Sequence, residues 1–152
     1  MIFNYTRTKI NLALIQNGVN FILRELDFVQ NKVDVFFISE KKIKDLNQRF
    51  RKINRSTDVL SFAERDQKEK FICPNQERNF LGEVYLCPAW IKKQAIQQGI
   101  SFSEELTRDL IHGILHLVGY EHKGVSDAKA EEMFKLQEEM VEKIVDNSVI
   151  PA

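Results

Sequence analysis

The sequence predicts an α+β fold, close to α/β, in which a small mixed sheet of about four strands is packed by about five helices. Three observations lead there. Short segments rich in β-branched and aromatic residues alternate with helical periodicity early in the chain, helices collect late, and one late helix is apolar around much of its circumference. That last helix belongs at the centre of the fold. At 152 residues the chain is read as one domain, residues 1–152, able to bury a full core without disulfides.

The elements follow in order. Residues 1–6 read as a short strand. Ile10, Leu14, Val19, Phe21, Ile22 and Leu26 recur at helical spacing, which predicts an amphipathic helix over 9–27. Lys32–Ser39 carries Val33, Val35, Phe36, Phe37 and Ile38 and reads as a buried strand. Ser39 is placed to cap a helix over 40–50 whose apolar face is Ile43, Leu46 and Phe50. Asp58–Ala63 is a second strand, residues 64–79 are a long polar loop, and Phe80–Cys87 is a third strand. Pro88 suits the first turn of a helix over 88–98, which Gly99 ends. Ser101 or Ser103 caps the central helix, through Leu106, Leu110, Ile111, Ile114, Leu115 and Val118, and Gly119 stops it. Ser126 or Asp127 opens a last helix containing Met133, Phe134, Leu136, Met140, Val141 and Ile144.

Composition narrows the function classes. Hydrophobic residues are 43% and charged residues 29%, ordinary for a globular chain. No apolar run approaches the roughly 18–20 residues of a membrane span, and the N-terminus lacks the pattern of a secretory signal. Cys73 and Cys87 fit free thiols in the reducing cytoplasm. Twenty-two basic residues balance 22 acidic ones, which excludes a histone-like polycation but not a nucleic-acid enzyme with a local basic patch. The charges are segregated: Lys41, Lys42, Lys44, Arg49, Arg51, Lys52 and Arg55 oppose a single Asp45, and Glu131, Glu132, Glu138, Glu139 and Glu142 oppose a single Lys135. Taken alone, each run reads as a solvated helix face.

All three histidines fall within eleven residues, His112-Gly113-Ile114-Leu115-His116-Leu117-Val118-Gly119-Tyr120-Glu121-His122. His112 and His116 lie four apart on one helix face, and Gly119 can turn the chain so that His122 returns over that face. Three imidazoles from a helix and its exit turn make an open three-ligand metal site with a position left for water or substrate. The spacing is that of metzincin proteases, whose glutamate after the first histidine is the general base. Gly113 stands at that position, so the site reads as a hydrolytic centre whose substrate is not a peptide. The basic segment 41–55 offers a phosphate partner, and spacing alone does not choose among Arg49, Arg51 and Arg55.

The histidine motif resembles His-Gly-x-Leu-His-Leu-x-Gly-Tyr-[Asp/Glu]-His, the signature of the bacterial YbeY family of metal-dependent endoribonucleases. Leu46-Asn47-Gln48-Arg49-Phe50-Arg51, Thr57-Asp58-Val59-Leu60-Ser61-Phe62 and Leu81-Gly82-Glu83-Val84 resemble its other blocks, in the same order and at the matching gap. The resemblance spans essentially the whole chain. It implies that His112, His116 and His122 bind one Zn²⁺, with another divalent transition metal such as Ni²⁺ as an alternative. It implies that Arg51 is the catalytic arginine, binding the scissile phosphate and stabilising developing charge. Arg49, Lys52 and Arg55 are further candidates for substrate binding. The implied substrate is single-stranded RNA, in 16S rRNA 3′-end maturation and ribosome quality control. The implied partners are ribosomal RNA and the ribosome or small-subunit proteins, with no DNA and no membrane. The implied location is cytoplasmic, with the metal in a cleft between the motif helix and the Arg51 segment.

Two departures are visible. Ser56 stands where the family often has proline, and Glu121 stands where it usually has aspartate before the last histidine. Glu121 reads equally as a partner of the site or as a solvent-facing acid. Two cleavage routes fit the same residues: direct hydrolysis leaving a 5′-phosphate, or attack by the ribose 2′-hydroxyl leaving a cyclic phosphate. Phe71 is a candidate RNA contact in the long loop, whereas Trp90 reads as core. Two rival functions stand beside this one. A metallohydrolase of peptides or small esters is opposed by Gly113. A non-enzymatic ribosome-assembly factor with a structural metal calls for a fourth ligand, from Cys73 or Cys87.

Overall fold

Four strands form one mixed sheet in the order β1-β2-β4-β3, where β1 is Ile2–Asn4, β2 is Lys32–Phe37, β3 is Val59–Ala63 and β4 is Phe80–Leu86. β1, β2 and β4 are mutually parallel and β3 runs antiparallel to β4. The helices are α1, Leu12–Glu25; α2, Glu40–Arg51; α3, Pro88–Gln98; α4, Phe102–Leu117; and α5, Asp127–Asp146. A short 3-10 turn, Glu64–Asp66, follows β3. The computed structural model describes residues 1–66 and 79–146, so Phe71 and Cys73 lie outside the described residues. Among the described residues no helix is long and apolar enough to cross a membrane.

Alternation along the strands gives the sheet two unlike faces. Val33, Val35 and Phe37 of β2 and Val84 and Leu86 of β4 point into the main core, where Leu110, Ile111, Ile114 and Leu115 of α4 are fully buried. α1 and α5 close that layer with Ile15, Val19, Ile22, Met133 and Ile144. The opposite face carries a smaller cluster of Ile38, Ile43, Leu60 and Cys87, with Phe36, Phe62, Tyr85 and Trp90 half-buried against it. β2 is therefore an alternating strand and not one buried on both sides, because α2 covers the outer face only in part.

The caps explain where elements begin. Asn11 accepts a hydrogen bond from the backbone of Leu14, so α1 starts at Leu12 and not at residue 9. Ser39 caps α2 through the amide of Lys42. Ser101, not Ser103, caps α4 through the amide of Glu104 at 3.0 Å. Pro88 opens α3 and Gly99 closes it at φ +69°. Ser126 accepts from the amide of Lys129 at the start of α5.

One glycine sets how closely α4 lies on the sheet. A Cβ at Gly113 would stand 2.7 Å from Cγ1 of Val84 and 3.3 Å from Cγ2 of Val59. The helix backbone therefore rests against β4 and β3 at this turn, and only a residue without a side chain fits.

Candidate metal centre

His112 and His116 emerge from the last two turns of α4, four residues apart on one face. The helix then ends: Val118 is its cap residue, and Gly119 takes φ +107°, a conformation that L side chains rarely adopt. The amides of Gly119 and Tyr120 return to the carbonyls of His116 and Leu115. Tyr120 packs against the main core, so the reversal is pinned at both backbone and side chain. His122 is brought back over the helix face as a result. Ring centroids of His122 lie 5.1 Å from those of both His112 and His116, which are 4.6 Å from each other. One ligand atom from each of the three can be chosen so that all lie within 4.8 Å of one another.

Hydrogen bonds fix the tautomers. His116 Nδ1 stands 2.9 Å from the carbonyl oxygen of Tyr120, an acceptor, so Nδ1 donates. His112 Nδ1 stands 2.7 Å from Oε1 of Gln137, so it donates as well. Both rings then present the lone pair of Nε2, and these two atoms face each other at 3.0 Å. Two lone pairs at that separation are satisfied by a cation between them, since tetrahedral zinc at Zn–N of ~2.0–2.1 Å sets ligand nitrogens at about 3.3 Å. Burial lowers the pKa of His116 to about 4, with the neighbouring His112 as the next cause, so its ring is neutral at pH 7. Burial also lowers that of His122. Neutral imidazoles are the form that binds metal, so the three residues fit a divalent transition metal.

The triad opens on two cavities. The larger, about 320 Å³, is lined by the three histidines together with Arg51, Arg55, Asp58, Ser61, Asp109, Lys123 and Gln137, among others. The smaller, about 220 Å³, joins Arg51, Ser61, Asp66, His116, Glu121, His122 and Lys123. Arg51, at the end of α2, donates through Nη2 to the carbonyl of Ser61 on β3 at 3.3 Å. Glu121 brings an oxygen to 3.3 Å from His116 Nδ1 while its side chain stays half exposed. Glu121 thus lies beside the site and faces solvent, a position that fits both of its readings from sequence.

The comparisons with known proteins agree with one another. A family model described as endoribonuclease YbeY matches residues 3–145. The chain belongs to the YbeY family. Endoribonuclease YbeY of Thermotoga maritima is 40% identical over 112 residues, covering 74% of this chain and 67% of that protein. Its counterpart in Persephonella marina is 36% identical over 135 residues, 89% of this chain and 84% of that one. The solution structure of TM1509 from Thermotoga maritima superposes with a TM-score of 0.63 at 34% identity, covering 94% of this chain and 87% of that one.

Within this YbeY-family chain, the other residues singled out from sequence divide. Arg55 lines the larger cavity. Arg49 and Lys52 line neither cavity. Arg49 lies over the Phe50 ring at 5.3 Å, and Lys52, at φ 60°, turns its ammonium back to the Arg49 carbonyl. Cys87 is fully buried in the cluster on the other face of the sheet, where burial pushes its thiol up, and it is not part of the histidine group. Sequence reasoning missed Gln137, Asp109 and Arg108. Gln137 left a signal: it is a polar residue on the buried stripe of α5 between Met133 and Val141. Arg65 was missed too. Its guanidinium donates to the carbonyls of His116, at 3.0 Å, and Leu117, capping the end of α4.

Proposed function

We propose that this chain is a metal-dependent endoribonuclease that cuts single-stranded RNA, with His112, His116 and His122 as metal ligands and Arg51 as a catalytic residue. The observation that carries this reading is the convergence of three imidazoles and the Arg51 guanidinium on one cleft, in a chain of the endoribonuclease YbeY family. Zinc suits three nitrogen donors with a position left open, and nickel suits the same donors. Such an ion, when bound, polarises a phosphoryl oxygen and makes water acidic enough to supply a nucleophile at neutral pH.

The chain's own residues do the rest. Arg51 is steadied by its hydrogen bond to Ser61 and keeps further N–H groups for two oxygens of a phosphate. It holds the scissile phosphate against the triad and stabilises the charge that develops there. Arg55 and Lys123 attract the flanking phosphates. Glu121 puts a carboxylate in the same cavity as Arg51, where it can accept a proton from water or from a 2′-hydroxyl. A glutamate at position 113 would not do so, because that position faces Val84 and Val59. On this reading the whole chain, 1–152, is one domain acting in the cytoplasm on the 3′ end of 16S rRNA and in ribosome quality control. Its partners are small-subunit ribosomal proteins, and it acts on neither DNA nor membranes.

The test is cleavage of a labelled RNA with single- and double-stranded segments by wild type and Arg51→Ala purified side by side. Cleavage of the single strand by wild type alone is expected, with mass spectrometry of the ends choosing between the 5′-phosphate and the cyclic phosphate. Equal cleavage by both proteins, or by neither, overturns the assignment.

A further inference from the structure

We infer that Gln137 is a positioning residue of the metal centre, holding His112 in the tautomer that presents Nε2 to the ion; this rests on the reading of His112 as a ligand. Gln137 sits on the buried stripe of α5 with 5% of its surface exposed, among Met133, Met140, Val141 and Ile144. Packing alone asks for an apolar residue there. A buried amide is tolerated only when both its ends are hydrogen-bonded, and here both are. Oε1 meets Nδ1 of His112 at 2.7 Å, and Nε2 donates to Oε1 of Glu138 at 3.3 Å.

The second of these bonds decides the first. The Glu138 carboxylate only accepts, so the amide nitrogen must face it and the amide oxygen must face His112. Glu138 is itself held by two bonds from Arg108, at 2.8 and 3.1 Å. Arg108 lies four residues before His112 on α4, and it also donates to Glu104 and Glu105. A closed ring results: α4 grips α5 through Arg108 and Glu138, and α5 returns through Gln137 to orient the next turn of α4. His116 needs no such device, since its Nδ1 donates to the backbone carbonyl of Tyr120. Of the two ligands on α4, His112 is thus the one whose orientation depends on a replaceable side chain.

The experiment is competition for Zn²⁺ against a chromophoric chelator, using the full chain as wild type, Gln137→Leu and Gln137→Glu, with circular dichroism confirming the fold of each. Loss of an outer-shell partner of this kind costs roughly 10–100-fold in metal affinity. Gln137→Leu is expected to weaken zinc by that factor, and Gln137→Glu, which keeps an acceptor, to return it to the wild-type range or above. Nitrogen-correlated NMR of the metal-free chain gives a second readout, in which the His112 signal moves from the Nδ1–H tautomer to a mixture in Gln137→Leu only. Equal weakening in both variants, or wild-type zinc affinity with an unchanged tautomer in Gln137→Leu, overturns the inference while leaving the ligands standing. Failure of the wild type to bind zinc at one per chain overturns the reading of the ligands, and the inference with it.

Discussion

Asp109 is a carboxyl group that the fold has buried almost completely beside the metal cleft, and its Oδ2 meets no donor among the described residues. Burial is the main cause that raises its pKa to about 9, followed by the charges of Asp58 and Glu105. The group is therefore protonated at neutral pH, and its proton can be given to the Asp58 carboxylate, whose other oxygen already accepts from Thr57 and from the amide of Val59. The sign of the linkage follows. Between the ordinary aspartate value and about 9 the folded chain holds a proton that the unfolded chain has lost, so stability falls as pH rises through that window. Asp109→Asn keeps a donor toward Asp58 and removes the titration. It should raise the melting temperature at pH 8, by an effect on the order of 1–3 kcal/mol, and flatten the pH dependence between 5 and 9. Thermal melts of both proteins across that range check this; parallel curves would show that Asp109 is not the titrating group. A second residue-scale expectation concerns Arg51. Arg51→Lys keeps the charge but loses the planar fork, so cleavage should fall by roughly 10²–10³, the cost of losing one transition-state donor. Zinc content measured on the same sample should be unchanged.

At the scale of elements, α4 is where the sequence was most legible. Apolar residues around much of its circumference predict a central helix, and the core bears that out: α4 packs against the sheet and against α1, α3 and α5, and its polar residues Arg108, Asp109, His112 and His116 bind α5 or face the metal cleft. What the pattern could not show was how close the helix lies. Gly113 was read as the absence of a general base. Its larger meaning is steric, and that depends on Val84 and Val59 arriving from strands distant in the sequence. Gly113→Ala should therefore cost about 1–3 kcal/mol by overpacking. Val84→Ala, which trims the methyl groups in the way, should recover part of that cost in the double variant, so that the two losses are less than additive in chemical denaturation. Full additivity would mean that the helix shifts instead of pressing on Val84. The Arg65 cap was illegible for a related reason. It joins positions 51 and 52 residues apart, and a lone arginine in a polar stretch carries no local signal of that partnership. Removing it, as Arg65→Met, takes the guanidinium from the Leu117 carbonyl and leaves the His116 carbonyl with the Gly119 amide alone. It should loosen the exit turn that carries His122, seen as faster amide exchange at Gly119 and Tyr120.

On the scale of the whole molecule, the site is an assembly of pieces whose chemistry was readable and whose meeting was not. Three histidines at metal-ligand spacing announce a metal wherever they fold. That Arg51 of α2, Gln137 of α5 and Glu121 of the exit turn converge on them follows from the β1-β2-β4-β3 sheet and from packing across it, which local periodicity does not encode. The acidic run of α5 shows the same limit: it reads as a solvated face, yet Glu138 is spent on Arg108 and fixes Gln137. This architecture also bears on whether the metal builds the fold or only uses it. All three ligands come from eleven residues, at the end of one helix and its exit turn, and that helix is buried by Leu110, Ile111, Ile114 and Leu115, none of which faces the triad's cleft. The core is complete without the ion, unlike a zinc finger, whose metal replaces a core. A metal that binds only the folded state adds about 2.7 kcal/mol when its free concentration is 100 times the dissociation constant. For a domain of this size that is roughly 5–10 °C in melting temperature. Chelation followed by gel filtration should therefore leave a folded chain with an intact circular dichroism spectrum, melting lower by that amount and recovering when zinc is returned. Collapse of the spectrum on chelation would instead identify a structural metal and shift the balance to the assembly-factor reading, because a fold that needs its ion for stability is one in which the open coordination position has no catalytic claim of its own.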